Sequence, residues 1–460
     1  MRGHNSIWRL AIIGALAFFP LAVAAAGAAP SLVVDVDSGN VLSAQDATEP
    51  WFPASLTKLM TAYVALAAVR DGRLTMDTPL IVSPRATRVP PSRMGFKPGT
   101  QVTLDNALKM LMVHSPNDVA ITVAEGVSGS VEAFANEMNA TAAKFGLRES
   151  HFVNPNGLHD AQHVSSARDM AIIARALLRD FPEHADLFDI GAIELDNRIY
   201  PNHNGLMGRY DGANGMKTGF TCPAGFNVVA SAARGGRRLI AVVLGSPSAR
   251  LRTDKAAELL DAGFSQWGGG LGQLESLPGS GVAEAPNMRD EICTRRNRQA
   301  VEEAEAEIET SPTRGLSRTG SVPFFWGAVP QAQPQSVSDV TPQPFDPIPV
   351  FIGPKDGWTG VALGPRPPGT TPDPATANAT PGGSTEGQST MAKAGVGASP
   401  AFDPDSPLAL AGSQPSISEK DLPPKPKAPA KAAAKVVKIY KVLKKLKKHI
   451  PTPSTANPTH

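Results

Sequence analysis

Ser55 and Lys58, three residues apart, open an apolar run that continues through Leu59, Tyr63, Leu66 and Val69. Recurrence at three- and four-residue spacing predicts a helix whose first turn carries both side chains on one face. A serine hydroxyl is a poor nucleophile at neutral pH unless a base lies within hydrogen-bond reach, and a lysine one turn on can supply it. The helix N-terminus adds positive potential and free N–H groups beside the anion that such an attack generates. By itself the pair fits a serine cap beside a solvated lysine better than it fits a catalytic pair, so the chemical reading needs more parts.

Two further motifs supply them. Ser115-Pro116-Asn117 follows a helical pattern over 103–113 (Leu104, Leu108, Leu111, Met112), and a third helix starts near Asp118. The proline breaks the pattern and puts Ser115 and Asn117 in the connecting loop. Lys217-Thr218-Gly219 lies within a strand-like run over 212–220.

Ser-x-x-Lys, Ser-Pro-Asn and Lys-Thr-Gly in this chain order form the signature of serine penicillin-binding proteins and class A β-lactamases. Over residues 29–267 the sequence resembles the serine D-alanyl-D-alanine carboxypeptidases, the low-molecular-mass penicillin-binding proteins. The stretches at 152–158, 165–171, 202–206 (Asn202-His203-Asn204 to Leu206) and 227–232 are similar to that family as well. The resemblance implies an α+β penicillin-binding protein/serine β-lactamase-like domain, an antiparallel sheet with a helical cluster, and composition adds a largely disordered tail after it. It also implies roles. Ser55 attacks the carbonyl between the last two D-alanines of a peptidoglycan stem, and Lys58, kept neutral by Lys217 and partial burial, takes the proton. Ser115 relays a proton to the departing D-alanine and Asn117 holds the substrate backbone. Lys217 supplies positive potential, Thr218 and Arg252 face the terminal carboxylate, and Gly219 completes the binding motif. The oxyanion hole is formed by the backbone N–H groups of Ser55 and Phe220. β-Lactams are the implied inhibitors.

The sequence departs from the family in two places. A polar residue, often histidine, follows Lys-Thr-Gly in many relatives where this chain has Phe220. Residues 311–429 do not read as the small β-rich second domain that often follows the catalytic one. Three rival functions remain: a DD-endopeptidase acting on cross-links with the same residues, a non-catalytic envelope scaffold, and a class A β-lactamase. The last needs a deacylating glutamate on a separate loop, and the nearest imitation, Glu132 in Glu132-Ala133-Phe134-Ala135-Asn136, falls inside a helical pattern.

The elements that must position these motifs follow from periodicity. Strand-like 31–36 and 41–43 flank Asp37-Ser38-Gly39-Asn40 and predict an opening hairpin. Residues 130–145 are helical with Gly146 as the stop, and 166–178 are helical with Ser166 and Asp169 spaced as a capping box. Beyond Leu206 come strands at 212–220, 226–233 and 238–245, the last two joined across Gly235-Gly236, and a helix over 254–264. Strands at both ends with helices between predict one antiparallel sheet whose terminal strands meet.

The chain of 460 residues holds 43 prolines at a formal net charge of +2 and is too long and proline-rich for one compact domain. Residues 1–28, with Arg2, Arg9, an apolar run and an Ala-Gly-Ala end, have the layout of a signal peptide, placing the mature chain in the periplasm or at the outer face of the cytoplasmic membrane. The catalytic domain is expected over 29–270. A largely disordered spacer is expected over 271–430, with a charged helix at 287–309 and apolar islands at 324–326 and 351–363, each a docking point or part of the spacer. A basic amphipathic helix and tail occupies 431–460: Val436, Ile439, Leu443, Leu446 and Ile450 share a face while Lys438, Lys441, Lys445 and Lys448 fall on others. An anionic membrane surface suits it, and acidic wall polymers are the alternative. No nucleic-acid partner is expected. His151, His159 and His163 form no tight ligand cluster, so neither a metal nor a cofactor is expected. Cys222 and Cys293 belong to an exported chain in which a disulfide is allowed, and the sequence leaves their pairing open.

Overall fold

The computed structural model describes residues 29–266, 270–294, 336–367 and 370. The expected leader at 1–28 and the basic helix at 431–460 lie outside the described residues, as does the apolar island at 324–326.

The opening hairpin forms as expected, β1 (Ser31–Asp35) with β2 (Val41–Gln45). Later in the chain come β7 (Ala213–Thr221), β8 (Gly225–Arg234) and β9 (Arg237–Ser246). The five strands make one antiparallel sheet in the order β2-β1-β9-β8-β7, so the first strand of this sheet in the chain pairs with its last and β7 is an edge. Alternate residues of β8 and β9 enter different cores. Val229 and Val242 face the large helical cluster, while Val228 and Val243 face α6 (Ala249–Ser265) on the other side through Ala256, Leu259 and Leu260. Burial on both faces is why these strands read as continuous apolar runs with no polar alternation.

The helical cluster is α1 (Thr57–Arg70), α2 (Leu104–Val113), α3 (Asn117–Ser128), α4 (Val131–Phe145) and α5 (Ala167–Asp180). Thr103, Ser130, Ser166 and Ser248 cap the N-termini of α2, α4, α5 and α6 by accepting from backbone N–H groups. Every residue of α3 from Asn117 to Val127 is buried, the signature of a helix enclosed by others. Two small hairpins complete the body, β3 (Pro79–Ile81) with β4 (Gln101–Thr103), and β5 (Ala192–Leu195) with β6 (Arg198–Pro201).

Several expectations need adjustment. Asn117 is the first residue of α3, while Ser115 stays in the loop with φ 61°. The helix expected at 254–264 begins at Ala249 because Ser248 caps it, so Arg252 is a helical residue. Of the charged helix at 287–309, the described part is one turn, α7 (Arg289–Ile292). Cys222 and Cys293 are joined in a disulfide across a sequence separation of 71, fastening that turn beneath the β7–β8 connection.

The larger difference is within the stretch read as spacer. Residues 336–367 run across the body as an ordered strap. β10 (Ile348–Pro349) adds in parallel to β5, Val350 N donates to Glu194 O at 2.9 Å, and Gly353 N donates to Gln101 O at 2.6 Å. Leu363 exchanges backbone hydrogen bonds with β3, its N donating to Pro79 O and its O accepting from Ile81 N, each at 2.8 Å. Arg366 then donates to Gly126 O at 2.9 Å and Val127 O at 2.6 Å, satisfying carbonyls at the open C-terminus of α3. Val350 and Leu363, the second within the island at 351–363, are buried in the large core cluster. Proline-rich chain suits this use: it loses little backbone freedom on ordering, and its missing N–H groups matter least along an edge.

Candidate active site

Ser55 lies in a 3-10 turn (Ala54–Leu56) that leads into α1. Ala54, just before it, has φ 50°, a conformation that costs an L-residue about 1 kcal/mol or more and persists only where the surroundings fix it. The surroundings are explicit. Gly157 lies against this turn so closely that a Cβ there would be 1.8 Å from Ala54 O. Asn227 on β8, fully buried, donates from Nδ2 to Phe52 O at 2.9 Å and Pro53 O at 3.2 Å while its Oδ1 accepts from Gly245 N at 2.8 Å. The sheet therefore holds the main chain leading to Ser55, and β7 passes beside it at Gly219, where a Cβ would be 2.9 Å from Ser55 N.

Lys58 Nζ lies 3.0 Å from Ser55 Oγ, 2.8 Å from Asn117 Oδ1 and 2.8 Å from Asn156 O. The orientation of the Asn117 amide is fixed because its Nδ2 donates to Pro90 O and Pro91 O. Both other partners of Lys58 are thus pure acceptors. A neutral amine has two N–H bonds and one lone pair; with the N–H bonds committed to Asn117 and Asn156, the lone pair is left for the Ser55 hydroxyl. Lys58 is 0% exposed, and burial first, then the nearby charge of Lys217, hold its pKa well below the usual lysine value. Burial is complete where partial burial was expected.

Lys217, on β7, is buried and donates to Thr218 O at 2.9 Å. Burial, with the charge of Arg252 second, lowers its pKa to about 7. His114 and His203 stack edge-on at 5.3 Å, and burial lowers both: His114 to about 4, His203 well below its ordinary value. Neutral imidazoles therefore back the lysines without adding charge. Ser115 Oγ is buried with no hydrogen-bond partner among the described residues, leaving it free for an incoming group.

A cavity of about 890 Å³ opens over these groups, and Ser55, Ser115, Asn117, Thr218, Gly219, Phe220 and Arg252 all line it. Lys58 and Lys217 lie under its floor. The fold therefore brings together all nine residues singled out in the sequence. Asn117 differs in one respect, because its side chain is spent on Lys58 and on the Pro90-Pro91 loop. Among the described residues no group of three or more His, Cys, Asp or Glu has the arrangement of a metal site. His163 instead accepts from Val153 N through Nδ1 at 3.1 Å, so Nε2 carries the proton toward Thr57 Oγ1 at 2.7 Å.

The sequence reading missed the hairpin β5–β6, whose hydrophobic edge and strap contacts border the cavity. Its signal was present as alternation on both sides of Asp196-Asn197, two residues with φ 51° and 60° in the turn. Pro342, Gln343, Pro344, Phe345 and Pro347 of the strap also line the cavity, and no local motif marked them.

Fold and site together define a penicillin-binding protein/β-lactamase-like α+β domain. A family model described as D-alanyl-D-alanine carboxypeptidase matches residues 20–248. The chain is 38% identical over 240 residues to D-alanyl-D-alanine carboxypeptidase DacC of Escherichia coli, covering 51% of this chain and 60% of that one. It is 34% identical over 246 residues to DacB2 of Mycobacterium tuberculosis, covering 51% of this chain and 81% of that one. The solved structure of penicillin binding protein 5 from Haemophilus influenzae superposes with a TM-score of 0.50 at 36% identity, over 52% of this chain and 71% of that chain. The chain thus belongs to the D-alanyl-D-alanine carboxypeptidase family, although it spans only about six tenths of the length of several curated relatives, 62% and 60% of two.

Proposed function

We propose that this chain is an exported serine D-alanyl-D-alanine carboxypeptidase that removes the terminal D-alanine from peptidoglycan stems and is acylated by β-lactams. The observation that carries the reading is the Lys58 amine, 3.0 Å from Ser55 Oγ with its other two neighbours both acceptors. Lys58 takes the Ser55 proton as Oγ attacks the penultimate D-alanine carbonyl, and the backbone N–H groups of Ser55 and Phe220 hold the resulting oxyanion. Thr218 and Arg252 bind the terminal carboxylate, and Lys217 adds positive potential beneath it. Ser115 relays the proton that Lys58 took to the amine of the departing D-alanine, which returns Lys58 to its neutral form. Water then attacks the Ser55 ester with Lys58 as base, which frees the shortened stem.

Similarity to D-alanyl-D-alanine carboxypeptidases and to a penicillin binding protein supports the same reaction. An endopeptidase would use the same residues. The intact base, nucleophile and cavity favour catalysis over a scaffold role. Export rests on the leader-like 1–28, and attachment to anionic lipid rests on the lysine and apolar spacing of 431–460. The reading is tested by treating the mature protein with a labelled penicillin and measuring intact mass. One adduct on the Ser55 peptide, absent in Ser55→Ala, is expected; labelling elsewhere, or none in folded protein, overturns it.

A further inference from the structure

The strap is anchored to the elements that carry the carboxylate-binding end of the cleft. On α6, two residues flanking Arg252 hold it: Arg250 Nη2 pairs with Asp339 at 2.7 Å, and Asp254 Oδ1 accepts from Ser336 Oγ at 2.5 Å and Ser338 Oγ at 2.7 Å. The loop after β6 holds it next. Arg209 Nε donates to Val340 O at 2.9 Å, and Gln343 N donates to Gly208 O at 2.7 Å. This is the loop of His203 and Asn204, tied to β7 by Asn204 Nδ2 donating to Gly215 O at 2.7 Å.

From these anchors Phe345 turns onto the body through two glycines. A Cβ at Gly191 would lie 2.0 Å from the Phe345 ring, and one at Gly208 would lie 2.8 Å from Gln343 O. Only glycine at 191 lets the ring pack this deeply. The segment then borders the cavity with Pro342, Gln343, Pro344, Phe345 and Pro347, ending in the parallel pairing of β10 with β5.

We propose that residues 341–347 wall the leaving-group side of the cleft, so that the enzyme expels a single D-alanine and excludes a second stem peptide. The inference rests on the reaction assigned above. In that reaction the group beyond the scissile bond lies toward Thr218 and Arg252. In a linear stem this group is one D-alanine; in a cross-link it is the whole neighbouring stem. The cavity, about 890 Å³, is within the usual range for a single small ligand. A wall pinned to the helix of Arg252 meets the larger leaving group and spares the smaller one. The strap is therefore a specificity-determining element supplied by chain beyond the body that carries the three motifs.

The test compares full-length wild type with two variants: residues 341–347 replaced by a Gly-Ser segment of equal length, and Gly191→Ala, which displaces the Phe345 ring and leaves the strap sequence intact. Hydrolysis of a linear peptide ending in D-alanyl-D-alanine and of a purified cross-linked peptide dimer is followed for each, with thermal melting to confirm folding. Wild type should prefer the linear substrate. The ratio of kcat/KM for dimer to linear substrate should rise about tenfold or more in the Gly-Ser variant and less in Gly191→Ala. A wild type equally active on both substrates, or a ratio unchanged in both folded variants, overturns the wall. A wild type that is neither acylated by penicillin nor active on either substrate overturns the underlying reaction as well, and labelling separates the two failures.

Discussion

The floor of the cleft and the strap at its rim are held together by opposite means. The floor is deep in the core: Ser55 and Lys58 share a turn, Lys58 is 0% exposed, and its two contacts other than Ser55 are to fixed acceptors 59 and 98 residues away. The strap is exposed over much of its length, rich in proline, and attached through edge hydrogen bonds, ion pairs and a few buried side chains such as Val350 and Leu363. Chemistry that depends on a proton crossing a 3.0 Å hydrogen bond needs the first kind of construction. Selection among substrates by size needs only a surface in the right place, which the second kind provides.

The comparison is broken most severely at Lys58. If its neutral amine is the base, Lys58→Arg should lose at least about a thousandfold in acylation rate, since guanidinium stays protonated and offers no lone pair. In wild type the lowered pKa fixes the sign: below it the amine is charged and acylation is slow, and the rate rises as pH passes upward through it. Stopped-flow acylation from acid to alkaline pH checks both, and substantial acylation by the arginine variant would move the base elsewhere.

Arg252 is where floor and rim meet, so its expected effect is smaller. Arg252→Ala should lose about 10- to 100-fold in kcat/KM on a substrate with a free terminal carboxylate, and much less on the amidated analogue, which lacks the ion pair in wild type too. Equal losses on both would mean that Arg252 supports α6 and takes no part in carboxylate recognition.

Much of this floor is legible in the amino-acid sequence. Ser-x-x-Lys, Ser-Pro-Asn and Lys-Thr-Gly are local patterns, and the Gly146 stop, the Ser166 cap and the Gly235-Gly236 turn are local chemistry, so the five strands of the large sheet and every helix of the cluster after α1 lie close to their expected bounds, while α6 starts five residues early. Asn227 is a subtler case: nothing in its own neighbours says that it will hold Phe52 and Pro53, 175 and 174 residues away. The strap was not legible for the same reason, more strongly. Its docking depends on Gly191, Gly208 and the open end of α3, none of them near it in sequence, while its composition reads as spacer.

A third prediction concerns what the floor costs in stability. Lys217 has a folded pKa of about 7 against an ordinary 10.5, so between those values the unfolded chain binds the extra proton. Stability should therefore be lowest below pH 7 and rise with pH across that window, by up to about 1.4 kcal/mol per unit from this group, with Lys58 acting in the same direction. Denaturant unfolding of wild type and Lys217→Met at several pH values measures the slope. The methionine variant should be flatter in the window; identical slopes would mean that Lys217 keeps its ordinary pKa in the fold.

The smallest global effect is expected in the strap, at Leu363. This side chain is buried in the main core cluster, where Leu→Ala ordinarily costs about 2–5 kcal/mol. A strap has an escape that a central strand lacks, because it can leave the surface while the body stays folded, and the penalty then cannot exceed the free energy of docking. Leu363→Ala should accordingly lower Tm by only about 2 °C or less, whereas Val229→Ala on β8 should lower it several-fold more. Hydrogen exchange should report the local event, with faster exchange at Val350, Gly353 and Leu363, whose amides donate to the β5, β4 and β3 edges, and unchanged protection across β8 and β9. If the body's amides lose protection together with the strap's, the two regions unfold as one unit and the strap is as much a part of the core as the floor it borders.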